Sequence, residues 1–256
     1  MQEDTIFKEY KIDPSQFWRQ VSRVTKAEKY DRALCYLNKL IFDPRFQKKP
    51  LTEKRLSVLA RKVLYCPGVK SFFSRMDRFI KKTSRSEGSN ITLEHYIISS
   101  GLGIILDRMS IRKYFKAIYA CEYEYGKNKA PIGVKSVVND AMKTQCLFRI
   151  SKGKLGLHED VNERVEKGAF RIPFSQMIFI GDGETDIPSM AVVKKYGGYA
   201  VAVYPPGREA KKKSLKLFHA GRAGHVAAAD YTEGSRLDKI LKRIIKAIVH
   251  GTARHP

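Results

Sequence analysis

Apolar positions fall into three patterns along the chain. From Ile6 to about Val63 they recur at three- and four-residue spacings: Phe17, Trp18 and Val21, then Leu34, Leu37, Leu40 and Ile41, then Leu56, Leu59, Ala60 and Val63. This is the period of helices with one buried stripe, and Asp13-Pro14 and Asp43-Pro44 mark the breaks between them. After Cys66-Pro67-Gly68, an amphipathic helix is predicted from Val69 to Lys82, with Phe72, Phe73, Met76, Phe79 and Ile80 inward. Ser84 to Asn90 reads as a polar loop.

Beyond it, short apolar runs alternate with helical stretches. Tyr96–Ile98, Ile118–Tyr123, Leu147–Ile150, Met177–Ile180, Gly198–Tyr204 and Val226–Tyr231 read as strands, and Gly101–Met109 as a helix. Arg208 to Lys216 reads as a charged loop. The last helix has Ser235 and Asp238 as a capping box and one stripe formed by Leu237, Ile240, Leu241, Ile244, Ile245, Ile248 and Val249. Strands interleaved with helices predict an α/β fold, a three-layer Rossmann-like, mostly parallel sheet. The all-helical segment, residues 1–64, stands before an α/β core at 65–256.

Composition sharpens this picture without naming a function. At 256 residues, 43% hydrophobic and 11% aromatic, the chain is long and apolar enough for a packed core. Its 49 Lys and Arg against 26 Asp and Glu leave a formal charge of +23, which favours anionic ligands. Cys35, Cys66, Cys121 and Cys146 are scattered, with no CxxC pair and no His at zinc-ligand spacing. The opening residues carry charges where a secretory signal has an apolar run, and the uncharged stretch Tyr96–Leu106 is too short to span a bilayer. A cytoplasmic protein without membrane spans is the expectation.

Chemistry concentrates in Met177–Met190, MIFIGDGETDIPSM. Here an apolar run stops at Gly181-Asp182-Gly183 and a helix follows, so Asp182 and Asp186 leave the carboxyl end of a strand together. Open α/β sheets bind ligands there, and paired carboxylates suit Mg2+. Helix capping by Asp182 is the plainer reading. A hairpin turn fits poorly because no alternating strand follows, and an EF-hand fails because Ile187 and Val193 stand where its glycine and glutamate are required. A second place is Ile97-Ile98-Ser99-Ser100-Gly101, where Ser99 and free backbone N–H groups can face an anion, or where Ser99 is only a turn residue. Leu106 stands where a dinucleotide fingerprint needs its third glycine, and Val134 separates Gly133 from Lys135 where a Walker loop needs them adjacent. The third place is Lys152, an ammonium just past the run Leu147–Ile150.

Taken in order, Ser99-x-Gly101, Lys152 and Gly181-Asp182-Gly183-x-x-Asp186 resemble the second, third and fourth motifs of the haloacid dehalogenase-like (HAD) hydrolases, most closely the phosphoserine phosphatase-like branch with a helical cap. The resemblance implies a Mg2+-dependent phosphatase acting on a small phosphomonoester. Ser99 would hydrogen-bond the phosphoryl group, Lys152 would stabilise its charge, Asp182 would bind Mg2+ directly, and Asp186 would bind it directly or through water. Residues 1–64 would be the cap. The first motif, a strand ending in Asp-x-Asp-x-Thr that carries the nucleophile, has no counterpart: no apolar strand precedes Asp4, and Asp13 lies in a turn before Pro14. Either Met1 is an internal start or the chain has lost its first motif. Both imply little or no turnover, weak binding of phosphate and Mg2+, and two strand edges left without their neighbour.

A different class of function is a non-catalytic basic protein that binds phosphate groups or nucleic acid. Lys194-Lys195, Lys211-Lys212-Lys213 and the Lys242, Arg243 and Lys246 face are its candidate contacts.

Overall fold

The computed structural model describes residues 1–88, 91–166 and 168–251. In chain order the helices and strands are α1 (Pro14–Ala27), α2 (Arg32–Phe42), α3 (Pro44–Lys48), α4 (Glu53–Leu59), α5 (Val69–Ser86), β1 (His95–Leu102), α6 (Gly103–Asp107), β2 (Phe115–Tyr125) and β3 (Pro131–Ser136). There follow α7 (Asp140–Lys152), β4 (Ile178–Gly181), α8 (Ile187–Lys195), β5 (Tyr199–Tyr204), α9 (Arg208–His219), β6 (His225–Ala228) and α10 (Arg236–Val249). The strands form two three-stranded sheets, β1-β2-β3 and β4-β5-β6. All pairings are parallel except β2 with β3. This is the expected mixed α/β, mostly parallel class.

The chain divides into two compact units, Met1–Leu64 with His95–Met142, and Tyr65–Glu94 with Lys143–Pro256. The boundary after residue 64 falls where the helical pattern ends. The helices before it, however, share a core with β1–β3 instead of standing apart. Leu37, Leu40, Phe17 and Leu56 pack in one apolar cluster with Leu102, Cys121 and Tyr123, and the Tyr123 hydroxyl donates to the Leu37 carbonyl at 3.0 Å. The physical reason is the face of β2. Residues Tyr119–Cys121 are buried in succession, and the inward side chains need a helical layer that α2 supplies.

Local starts obey the sequence. Asp13 accepts the Gln16 N–H, Asp31 that of Leu34, Asp43 that of Arg45 and Thr52 that of Arg55, each capping the next helix. Ser235 accepts the Asp238 N–H to cap α10.

Several expectations need correction. Leu147–Ile150 is no strand but part of α7. Buried Lys143, Cys146, Leu147 and Ile150 stand at i, i+3, i+4 and i+7, a helical stripe that a four-residue apolar run does not distinguish from a strand. Arg208–Lys216 is part of helix α9, whose inward side is only buried Ser214 with partly buried Leu215 and Leu217, a stripe too short to stand out among the lysines. Residues 126–136, where the sequence pattern predicts no strand, form a hairpin turn into β3, closed by Gly126 N–H to the Ala130 carbonyl at 2.9 Å. β1 continues to Leu102, so the helix expected from Gly101 is the short α6. Helix α5 covers the start of the expected polar loop, and Ser89 and Asn90 lie outside the described residues.

β1 and β4, which carry the Ser99 and Asp182 motifs, each pair on one side only among the described residues. Ile97 and Ile98 of β1 and Ile178, Phe179 and Ile180 of β4 are only half-buried, unusual for apolar parallel strands.

Candidate functional site: the carboxyl end of β4

The second unit builds its site where β4 ends. Gly181 closes the strand, residues 182–186 turn through a single 3-10 turn, and α8 begins at Ile187 with Pro188 in its first turn. Asp186 folds back under this loop. One carboxylate oxygen, Oδ2, accepts the N–H groups of Asp182 at 3.1 Å and Gly183 at 3.3 Å. The other, Oδ1, meets the Lys143 ammonium at 2.8 Å, which also donates to Thr185 Oγ1 at 2.8 Å. Gly181 is required by this packing: a Cβ there would stand 2.6 Å from Asp186 Oδ2. Asp186 stands at the start of α8 without capping it by its side chain, and its carboxylate instead seats the loop from beneath.

Lys143 and Asp186 are both buried, so neither charge is solvated and each needs the other. Asp182 differs. Its residue is exposed, and its carboxyl is raised above the ordinary range by desolvation first and by the Asp186 charge second, with Lys143 opposing. Two side chains feel that charge. The Cys66 thiol is pushed up by burial and then by Asp182, and the Tyr231 phenol is pushed up to about 12 by burial, then Cys66, then Asp182.

Cys66 and Tyr231 are brought together by the Cys66-Pro67-Gly68 turn. Tyr231 N–H donates to the Pro67 carbonyl at 2.8 Å, and Gly68 adopts a φ of 77° with the backbone of Tyr231 and Thr232 where a Cβ would stand. Beneath it, Arg75 donates to Asp238 Oδ1 at 2.7 Å and to the Tyr231 carbonyl, fastening α5, α10 and the Tyr231 loop.

The structure thus holds Asp182 and Asp186 in one loop, with the Asp182 N–H on the Asp186 carboxylate. Lys152 lies elsewhere: its ammonium donates to the carbonyls of Val161 at 2.7 Å and Glu163 at 2.8 Å, closing the loop after α7. The lysine beside the carboxylates is Lys143, nine residues earlier on the same helix. A lysine on the stripe of Cys146, Leu147 and Ile150 was the signal for it, because such a position buries a cation. Ser99 lies in the first unit within the irregular stretch of β1, where its hydroxyl accepts the Gly101 N–H at 3.0 Å. Its neighbour Ser100 has a buried hydroxyl with no hydrogen-bond partner among the described residues, and the Ser100 carbonyl accepts from Tyr36. In the same unit Asp4 pairs with Lys8 and the chain's amino group, and Asp13 is a helix cap.

As a Mg2+ site this arrangement is incomplete. Both oxygens of Asp186 are committed to Lys143 and the loop N–H groups, leaving Asp182 and, further along the loop, Glu184 as exposed carboxylates, and no cluster of three potential ligands occurs among the described residues. No described helix is long and apolar enough to cross a membrane.

No family model matches the chain. It is 29% identical to an uncharacterized protein of Borreliella burgdorferi over 92% of this chain and 88% of that one. Among solved structures it is similar to a HAD family hydrolase of Salmonella enterica serovar Typhi, with TM-score 0.57, 16% identity and 95% of this chain covered. It is also similar to a probable phosphoserine phosphatase of Vibrio cholerae, with TM-score 0.55, 14% identity and 99% covered. The chain spans 66% and 62% of the lengths of those two structures. At these identities the likeness speaks for architecture alone: the chain has the fold of the haloacid dehalogenase-like hydrolases.

Proposed function

We propose that the β4 loop is the cation- and phosphate-facing half of a HAD-like phosphohydrolase site for a small phosphomonoester, and that this chain turns such a substrate over slowly or not at all. One observation carries the reading: Lys143 and Asp186 form a buried pair beneath an open Asp182. A pair that only braced the loop would need no second carboxylate left exposed above it. Asp182, Asp186 and Lys143 together hold one net negative charge, which repels a phosphate dianion until a cation offsets it, so binding should require Mg2+. Of the roles implied by the resemblance, we assign that of the lysine to Lys143 in place of Lys152. It holds Asp186, which in turn orients the N–H groups of residues 182 and 183. Asp4 and Asp13, engaged in an ion-paired turn and a helix cap, leave the attacking carboxylate unassigned.

The test is phosphate release from p-nitrophenyl phosphate with and without Mg2+, together with Mg2+-dependent binding of inorganic phosphate by calorimetry. Expected are a rate indistinguishable from buffer and weak binding that disappears in Asp182→Asn. A robust Mg2+-dependent rate, lost in Asp182→Asn yet kept when Asp4 and Asp13 are replaced, would show that the nucleophile lies elsewhere in this chain.

A further inference from the structure

The charge of the chain is distributed unevenly. Between residues 187 and 229 stand eight lysines and arginines against one acid, Glu209. Most of this charge is exposed on α9 and at the carboxyl ends of α8 and α9. Because β4, β5 and β6 are parallel, those two helix ends lie at the amino end of the sheet, opposite the end that carries Asp182. They are tied together there: the Lys194 ammonium donates to the Gly221 carbonyl at 2.8 Å. Cations also converge from α10, since burial first, and then Arg243, Lys194 and Arg236, push the His225 imidazole down.

Two aromatic rings stand in this field. Tyr196 packs on Phe174 at 5.2 Å and on Phe148 at 6.3 Å but keeps 49% of its surface exposed, with the Lys195 ammonium 6.0 Å from its ring centre, and Phe218 is 44% exposed beside His219. Large exposed hydrophobic side chains are few in the second unit, and among its described residues these two are the exposed aromatic ones. Lysines at helix carboxyl ends are accounted for by the helix dipole, but that effect gives no reason for the aromatic surface that Tyr196 and Phe218 leave exposed beside them.

We propose that this surface, formed by Lys194, Lys195, Tyr196, Lys216, Phe218 and Arg222, binds single-stranded nucleic acid, with the cations following the phosphates and the two rings stacking on bases. Every base has a stacking face, so such a surface is tolerant of sequence. An anionic membrane is the other polyanion that a basic helix can meet, but α9 turns Leu215 and Leu217 inward against Ala200, Ala202 and Met190, leaving little apolar area to enter lipid. The site is independent of the β4 loop and does not rest on the phosphohydrolase reading.

The experiment is fluorescence anisotropy of a labelled single-stranded homopolymer of about 20 nucleotides, a duplex of equal length, and vesicles of phosphatidylcholine with phosphatidylglycerol. Neutralising about four phosphates predicts that affinity for the single strand falls about 50-fold between about 50 and about 200 mM salt. Phe218→Ala, which removes an exposed ring and leaves the core untouched, should weaken it about tenfold. Lys216→Glu should flatten the salt dependence. Equal or tighter binding of the duplex, indifference to Phe218→Ala, binding to vesicles alone, or no salt-dependent binding to any of the three would each overturn the proposal.

Discussion

The two units solve the problem of holding a sheet in different ways. In the first, the sheet is covered by large apolar side chains: Phe7, Phe17, Leu37, Leu40, Leu51 and Leu56 are all at most 1% exposed and pack in one cluster. In the second, the cluster over β5 and β6 is built from small Ala200, Ala202 and Ala223 with Val226 and Met190, and although α5 and α10 bury apolar stripes such as Phe72, Met76, Leu241 and Ile244, buried charge adds its own long-range fastening. Arg75, Asp238 and Lys242 join α5 to α10, and Lys143 with Asp186 joins α7 to the β4 loop. Apolar cover tolerates small rearrangements and does not respond to pH. A buried ion pair fixes one geometry and is lost when either partner changes, which suits a loop that must present Asp182 in one position.

The contrast should be clearest in two variants of similar cost but different signature. Asp238→Ala leaves the Arg75 guanidinium buried without its carboxylate and is expected to cost about 3–5 kcal/mol. Phe17→Ala removes a ring packed at 4.7 Å from Phe7 and 5.3 Å from Trp18 and should cost about the same. Their pH dependence separates them. Burial disfavours the Asp238 carboxylate, but hydrogen bonds from Lys242, Gly234 and Arg75 together outweigh it and hold its pKa below the usual value. Its contribution is therefore full above about pH 4 and disappears as pH falls through the lowered value in the folded chain. Urea melts should show the Asp238→Ala deficit shrinking in acid while the Phe17→Ala deficit stays constant. Equal behaviour of the two would mean that the ion cluster contributes nothing specific.

Both kinds of anchorage left traces in the sequence, but only where the cause is local. Asp13-Pro14 and Asp43-Pro44 identified helix starts because a cap is settled by three or four neighbouring residues. The β4 loop was legible because a buried strand and Gly181-Asp182-Gly183 are contiguous. Lys152 looks the better candidate than Lys143 because Leu147–Ile150 has the same pattern in strand and helix; only the longer stripe back to Lys143 shows the period. β3 escaped because its alternation means little until Tyr123 and Tyr125 stand beside it. The shared core of residues 1–64 with β1–β3 rests on pairings such as Tyr123 with Leu37, which no local pattern encodes.

A change of intermediate size probes how tightly the ion pair is seated. Gly181→Ala adds one methyl group 2.6 Å from Asp186 Oδ2, so the carboxylate must move off the loop N–H groups or away from Lys143. A loss of about 1–3 kcal/mol is expected, with the amide protons of Asp182 and Gly183 exchanging faster in hydrogen-exchange measurements. A neutral result would mean that the loop yields, and that Asp186 does not seat it as described.

The smallest effect on stability should come from Asp182→Asn, although it changes the charge of the site most. Asp182 is exposed and leaves no buried partner behind, so the change should stay within about 0.5 kcal/mol. Its electrostatic imprint is larger and can be read from Cys66, the one exposed thiol beside three buried ones. Asp182 is the second cause of the raised Cys66 thiol, after burial. Removing the carboxylate should therefore lower the pH at which Cys66 reacts with a disulfide reagent, while leaving it above that of a free thiol because burial persists. Asp238→Asn, acting on a carboxylate that is not a cause of the Cys66 shift, should leave that profile where it was. The pair of measurements thus sets an open carboxylate that shapes its surroundings through charge against a buried one that acts through structure, and identical thiol profiles in both variants would erase the distinction.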